Sequence, residues 1–289
     1  MVKIHVVGSG TPTPTAERFG SAFAVEFEAS PTVLFDCGPA ATHKLVKSGI
    51  WPTDVRYIFL THHHFDHVAD LPCFLMCWWD QNAGLRPKLE LYGPSDTELF
   101  TADLVGPRGA FARDWRARSS HPLSLRTYVS RGGIPPRQAP LDDIDVRDIS
   151  DGDVIRGPVW TVLAARAVHY QPFLESLAYR LETSHGAVVF TGDTEPCRQV
   201  EDLARGADIL FCMCWDHQAI MDGNGECEGQ CGTIGAAEMA AASGVKRLVL
   251  VHTGPAVSRV DEQEKAVRDV SSVFHGEVLF AAEGDVISL

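Results

Sequence analysis

Residues 61–67 read Thr61-His62-His63-His64-Phe65-Asp66-His67, directly behind the apolar run 55–60, in which only Arg56 is polar. A short run of this kind predicts a buried strand. Imidazoles and a carboxylate at its exit are metal donors. Nitrogen donors two residues apart in an extended or turning segment project to the same side and grip one ion, while a carboxylate and an imidazole just beyond can hold a second. The spacing HxHxDH therefore suggests two metals, and a surface histidine tract would not sit behind a buried strand.

Further donors follow at later strand ends. His169 closes the run 160–168, Asp193 follows Val188-Val189-Phe190-Thr191-Gly192, and His252 closes the run 247–251. Taken singly, each has an ordinary reading, since a strand-end histidine can be a satisfied surface group and Gly-Asp a turn. Together, in this order, they resemble the metallo-β-lactamase superfamily, whose members carry THxHxDH at the end of a strand. Val6-Val7-Gly8-Ser9-Gly10-Thr11-Pro12 looks like the opening strand and glycine loop of its RNase Z-like and arylsulfatase-like branch. Leu34-Phe35-Asp36-Cys37-Gly38 and Ser176-Leu177-Ala178-Tyr179-Arg180 fit the same branch.

The resemblance covers almost the whole chain and implies an α+β fold, a four-layer αββα sandwich of two mixed β-sheets flanked by helices. It implies that His62, His64 and His169 hold the first ion, that Asp66, His67 and His252 hold the second, that Asp193 bridges them, and that His63 is a bystander. Asp36 would orient ligands by hydrogen bonding, as outer carboxylates do. Two zinc ions per chain are expected, although manganese or iron suits the same donors. A hydroxide shared by the ions, with Asp66 and Asp193 around it, would be the nucleophile, so hydrolysis is the expected chemistry.

Composition agrees with a compact enzyme. The chain has 289 residues and a formal net charge of −13. Because the expected ligands run from 62 to 252, they must converge within one folded unit, and residues 1–289 are read as a single domain. No apolar stretch approaches twenty residues, and the chain opens on a strand at 2–7 without a basic, hydrophobic leader, so no membrane partner and a cytoplasmic location are expected. The eight cysteines show no CxxC spacing, which argues against a zinc knuckle or a disulfide framework.

Expected strands lie at 2–7, 22–28, 32–36, 55–60 and 88–92 in a first half, and at 144–149, 159–168, 177–182, 187–191, 208–212, 247–251 and 277–281 in a second. Helices are expected at about 40–48, 69–82, 95–104, 197–204, 233–243 and 261–274. Residues 106–140 read as an Arg/Gly/Pro-rich insertion: Arg108, Arg113, Arg116, Arg118, Arg126, Arg131 and Arg137 stand against Asp114 alone. A lid, an oligomer contact, an RNA-gripping arm and a solvated loop compete for it. The net acidity favours the first two, and a dimer or higher oligomer with itself or a paralogue is expected.

The substrate class is read from departures. In the tRNA 3′-processing enzymes of this branch, a long arm follows the third motif, and HEAT and HST segments supply an acid for the leaving group. Here only residues 181–188 separate the Tyr179 motif from the Asp193 strand, the HEAT position reads Cys212-Met213-Cys214-Trp215, and the HST position reads Cys231-Gly232-Thr233. With the acidic net charge, these departures lead to the expectation of a small, aromatic substrate and no nucleic-acid partner, the cleaved group being an ester, sulfate, phosphodiester, lactone or activated aryl ether. Trp78, Trp79 and Trp215 would wall the pocket, and His217 is a substitute proton donor. The alternatives are a tRNA 3′-processing endonuclease and a non-catalytic family subunit.

Overall fold

The computed structural model describes residues 1–82, 87–135 and 138–289; Pro136 and Arg137 of the basic insertion lie outside the described residues. Seven strands, β1 (Val2–Ser9), β2 (Ser21–Phe27), β3 (Ser30–Phe35), β4 (Val55–Phe59), β5 (Leu89–Gly93), β6 (Ile144–Asp148) and β14 (Val286–Ser288), form one sheet in the order β14-β1-β2-β3-β4-β5-β6. Seven more, β7 (Val154–Arg156), β8 (Trp160–Arg166), β9 (Leu177–Thr183), β10 (Gly186–Phe190), β11 (Ile209–Met213), β12 (Arg247–Val251) and β13 (Glu277–Phe280), form the second in the order β13-β12-β11-β10-β9-β8-β7. Each sheet is antiparallel at one side and parallel at the other: β3, β4, β5 and β6 run parallel in the first, and β10, β11, β12 and β13 in the second.

Both sheets are apolar on both faces, because each is covered by its partner on one side and by helices on the other. Between them lies an aromatic layer. The rings of Phe35 and Phe190 stack across the sheets at 4.3 Å, and Phe59 stacks on Tyr92 at 5.0 Å in the same layer. Helices α1 (Ala41–Lys47), α2 (Phe65–Val68), α3 (Leu71–Asn82), α4 (Thr97–Val105), α5 (Ala112–Ser120) and α6 (Pro122–Ser130) belong to the first half. On the second half lie α7 (Arg198–Ala204), α8 (Gln218–Asn224), α9 (Thr233–Ser243) and α10 (Val260–Ser271). No helix among the described residues is long and apolar enough to cross a membrane.

The expected strands and helices are all present to within a few residues, and the differences have causes. Strand β6 pairs in parallel with β5, and β14 pairs with β1, so two strands from the later part of the chain complete the first sheet. The insertion contains two helices, α5 and α6, which form a hairpin whose second helix starts at Pro122, a residue that pre-sets the first turn. Neither helix has an apolar stripe, and α6 buries no residue, so hydrophobic periodicity carried no signal for them.

Trp78 and Trp79 face inward, each about 1% exposed. Their indole N–H groups donate to the carbonyls of Val55 and Gln138 at 3.2 and 3.1 Å. They are the outer core of α3 and wall no pocket at the metal motif, contrary to the expectation for them.

Hydrogen bonds from β9 tie the sheets together beneath that motif, among them Leu177 N–H to the Thr61 carbonyl at 2.9 Å. The Tyr179 hydroxyl, on β9, donates to the Leu60 carbonyl at the end of β4 at 2.6 Å, and both partners are buried. Tyr179→Phe leaves that carbonyl unpaired, so unfolding of the metal-free protein should lose about 1–3 kcal/mol. A change below about 0.5 kcal/mol in denaturant titration would show that the bond has no net role.

Candidate metal centre

Strands that run the same way deliver their carboxyl ends to one edge, and in this sandwich the ends of β3, β4, β8, β10 and β12 open on the same seam between the sheets. That places Asp36, the 61–67 loop, His169, Asp193 and His252 together, as loops at the carboxyl ends of parallel strands place functional groups generally. His62 Nε2 lies 3.1 Å from His64 Nδ1, which lies 3.2 Å from His169 Nε2. Asp193 Oδ2 approaches His62 Nε2 at 3.9 Å and His169 Nε2 at 3.7 Å. A tetrahedral ion with bonds of about 2.0–2.1 Å needs donor separations of about 3.3 Å, so these four atoms form a cage of the right size.

A second set adjoins the first. Asp66 Oδ2 lies 3.1 Å from His252 Nε2 and 3.6 Å from His67 Nε2. Asp193 Oδ1 is 3.3 Å from His67 Nε2, and its Oδ2 is 3.3 Å from His252 Nε2. Asp193 therefore faces both sets. His67 Nε2, Asp66 Oδ1 and Asp193 Oδ1 are buried without a hydrogen bond of good geometry, a costly condition that cations between the donors would relieve. The residues fit a metal pair.

The nitrogens turned away from the donor cluster are held. His67 Nδ1 meets Asp36 Oδ2 at 2.7 Å, His169 Nδ1 meets the Gly229 carbonyl at 2.6 Å, and His62 Nδ1 meets the Thr61 hydroxyl at 3.0 Å. Asp36 also accepts from the Thr61 backbone N–H at 2.7 Å and the Thr61 hydroxyl at 3.0 Å. Such partners fix ring orientation and tautomer. Asp36 and His252 both sit at positive φ, 57° and 48°, a strained conformation for residues with a Cβ.

Charge is arranged to suit cation binding. Burial, reinforced by His67, holds the His62 imidazole well below its ordinary value, and burial with His169 lowers His64, so both offer free lone pairs. Burial opposes ionisation of Asp193, but His252 and His67 outweigh it and hold the carboxyl well below the usual range. In the metal-free chain, burial opposes charge on His67 as well, yet Asp193 and Asp36 outweigh it and raise it well above its ordinary value.

His63 stays outside the cluster, with its Nε2 2.8 Å from the Thr97 hydroxyl at the start of α4 and its ring stacked on Phe100. Trp215 lies beside the centre, its ring 6.3 Å from that of His252. His217 turns elsewhere: Nδ1 meets Asp269 at 3.0 Å and Nε2 meets Glu262 at 3.1 Å, so both nitrogens are engaged by α10. Cys212 and Cys231 are buried in contact with each other within the outer core of the second sheet. Sequence reasoning did not find Gly229, whose contribution is a carbonyl and leaves no side-chain signal, nor Tyr170, whose ring packs on His169 at 4.2 Å.

A profile of the metallo-β-lactamase superfamily matches residues 15–213. Ribonuclease Z of Mycobacterium sp. (strain KMS) is 30% identical over 279 residues, covering 93% of this chain and 90% of the relative, and Ribonuclease Z of Mycolicibacterium gilvum (strain PYR-GCK) is 29% identical over 273 residues. Among solved structures, the metallo-β-lactamase fold protein YhfI of Bacillus subtilis superposes with a TM-score of 0.74 at 20% identity, covering 99% of this chain and 98% of that one. The short form of human tRNase Z superposes at 0.68 with 22% identity and the same coverage.

These relatives correct the expected small aromatic substrate and the expected absence of a nucleic-acid partner, since end-to-end similarity is to enzymes named for RNA cleavage. The physical reasons lie in what the departures measured. Missing HEAT and HST side chains concern how a leaving group is protonated, not which polymer is bound, and a net charge of −13 averages over a surface that carries a local basic hairpin.

His64→Ala should abolish binding at one metal position, whereas His63→Ala should keep full metal content and lose only about 1 kcal/mol of stability, because it removes one hydrogen bond and no donor. Elemental analysis showing equal metal loss in both would mean the donor assignment is wrong. Gly192 holds a φ of 57°, and a Cβ there would stand 2.7 Å from Thr61 Cβ. Gly192→Ala should therefore displace Asp193 and lower metal content in the same assay, and full occupancy in that variant would contradict the tight packing.

Proposed function

Since the chain belongs to the metallo-β-lactamase superfamily and is a metal-dependent hydrolase, we propose that it is a tRNA 3′-processing endonuclease of the RNase Z type, with two divalent ions, zinc foremost, in its centre. The observation that carries this reading is an intact set of seven metal donors in a chain aligned over nine-tenths of its length with ribonucleases Z. Loss of donors would instead have favoured a non-catalytic subunit. Two ions in such a site supply an activated water and stabilise charge on a phosphodiester as it is cleaved. The chain's own groups do the rest: Asp36 and Thr61 keep the donor rings aimed, and His63 with Thr97 pins the donor loop to α4.

Protonating an oxygen leaving group is worth about 10² to 10⁴ in rate. Cys212, Met213 and Cys231, at the positions where the tRNA-processing enzymes that the chain resembles carry their acid, are fully buried and give no such help. The eight unpaired cysteines suit a reducing compartment, the cytoplasm.

RNA binding needs cations, and the α5–α6 hairpin concentrates them. Arg108, Arg113, Arg116, Arg118, Arg126 and Arg131 are all exposed there. Arg118 is engaged by Asp114 and Asp80, while Arg108, Arg113, Arg126 and Arg131 form no ion pair among the described residues. The hairpin is anchored at Asp80, nine residues along α3 and so about 14 Å from the start of that helix beside the metal loop. A long RNA touching both the centre and the hairpin is bound at two places.

Metal-loaded protein incubated with a 3′-extended precursor tRNA should make a single cut that frees the trailer, and an intact precursor after full metal loading would defeat the proposal. Replacing Arg108, Arg113, Arg126 and Arg131 by Glu should weaken precursor binding and flatten its salt dependence, by about 0.7–0.9 in log–log slope for each phosphate that is no longer neutralised. An unchanged slope would mean that the hairpin does not touch RNA.

A further inference from the structure

Five large aromatic residues are exposed among the described residues, namely Trp51, Phe65, Phe111, Tyr170 and Phe173. Three of the five lie within four positions of the donors His64 and His169, so exposure of aromatic surface is concentrated at the mouth of the metal centre. Phe173 is the extreme case, 94% exposed. Single exposed apolar residues are ordinary on protein surfaces. Here, however, the turn that carries the ring is tied down on every side. The Phe173 N–H donates to the Tyr170 carbonyl at 3.0 Å, Gln171 accepts from the His169 N–H at 2.8 Å and donates to the Ala167 carbonyl at 2.8 Å, and Glu175 accepts from the backbone and hydroxyl of Ser95 at 3.1 and 2.6 Å. The ring is held out in water by a fixed support.

Tyr170 and Phe173 border a cavity of about 740 Å³ that His64 and His169 also line, so an occupant of it lies beside the candidate metal donors. The segment after α8 brings Glu226 and Glu228 to the same cavity. Two carboxylates repel phosphate, so a nucleic-acid backbone does not run through this space. A flat, neutral base does fit: its face stacks on an aromatic ring, and its amino groups find acceptors.

We propose that Tyr170 and Phe173 form a stacking platform for one unpaired nucleobase next to the scissile phosphodiester, and so set which strand geometry the centre accepts. The inference rests on the RNA-cleaving function proposed above. Stacking of a base on an aromatic side chain tolerates every base and corresponds to about 5- to 150-fold in affinity.

The test uses metal-loaded full-length protein and a 3′-extended precursor tRNA in which each nucleotide flanking the cut is replaced in turn by an abasic residue. Phe173→Ala should raise KM about 5- to 150-fold with metal content unchanged, while Phe173→Trp should restore it. One abasic position should produce a similar loss in the wild type and little further loss in Phe173→Ala, the non-additivity expected of direct partners. An unchanged KM and cut site in both Phe173→Ala and Tyr170→Ala, or abasic and alanine losses that add in full, would overturn the platform while leaving the endonuclease intact. A wild-type protein that cuts no 3′-extended RNA overturns the functional reading, and the platform with it.

Discussion

The carboxylate of Asp193 is the constraint on which the rest of the structure depends. It is buried, ionised and within 4 Å of four imidazoles drawn from both sheets, His62 and His67 from the first and His169 and His252 from the second. A buried carboxylate is tolerable only where positive charge or cations compensate it. The ends of β4, β8 and β12 bring the imidazoles that provide that compensation, and the two sheets cannot slide past one another without breaking it. The geometry of the centre and the registry of the sandwich are thus one requirement.

Meeting that requirement takes a rigid foundation. The aromatic layer between the sheets supplies it through stacked rings from Phe23 to Phe211, and the Tyr179 bond to Leu60 closes it just below the donor loop. Above the layer, Asp36 accepts three bonds from Thr61 and His67 at the cost of a left-handed backbone. Of the four residues other than glycine at positive φ among the described residues, Asp36 and His252 lie at the centre, where donors must be aimed.

Charge is distributed unevenly. The body of the chain is acidic, the α5–α6 hairpin is basic, and the cavity beside the centre combines exposed aromatic rings with two glutamates. Net charge therefore misleads about partners. A polyanion is attracted or repelled by the field where it lands, and that field falls off within about 8–10 Å in physiological salt.

The sequence by itself determined which residues are candidate donors: the spacing HxHxDH behind an apolar run is a local pattern, and His169, Asp193 and His252 at later strand exits joined it through the family resemblance. The same locality made the central strands legible, since a strand buried on both faces is written as a short run of consecutive apolar side chains. Tertiary structure alone decided what depends on distant partners. Nothing near β6 or β14 says that they join the first sheet, nothing in Trp78-Trp79 says that both indoles turn to the core, and His217 met Glu262 and Asp269 only because α10 folds back upon it. The helices of the basic insertion were hidden for the opposite reason: they bury almost nothing, so no apolar stripe recorded their period.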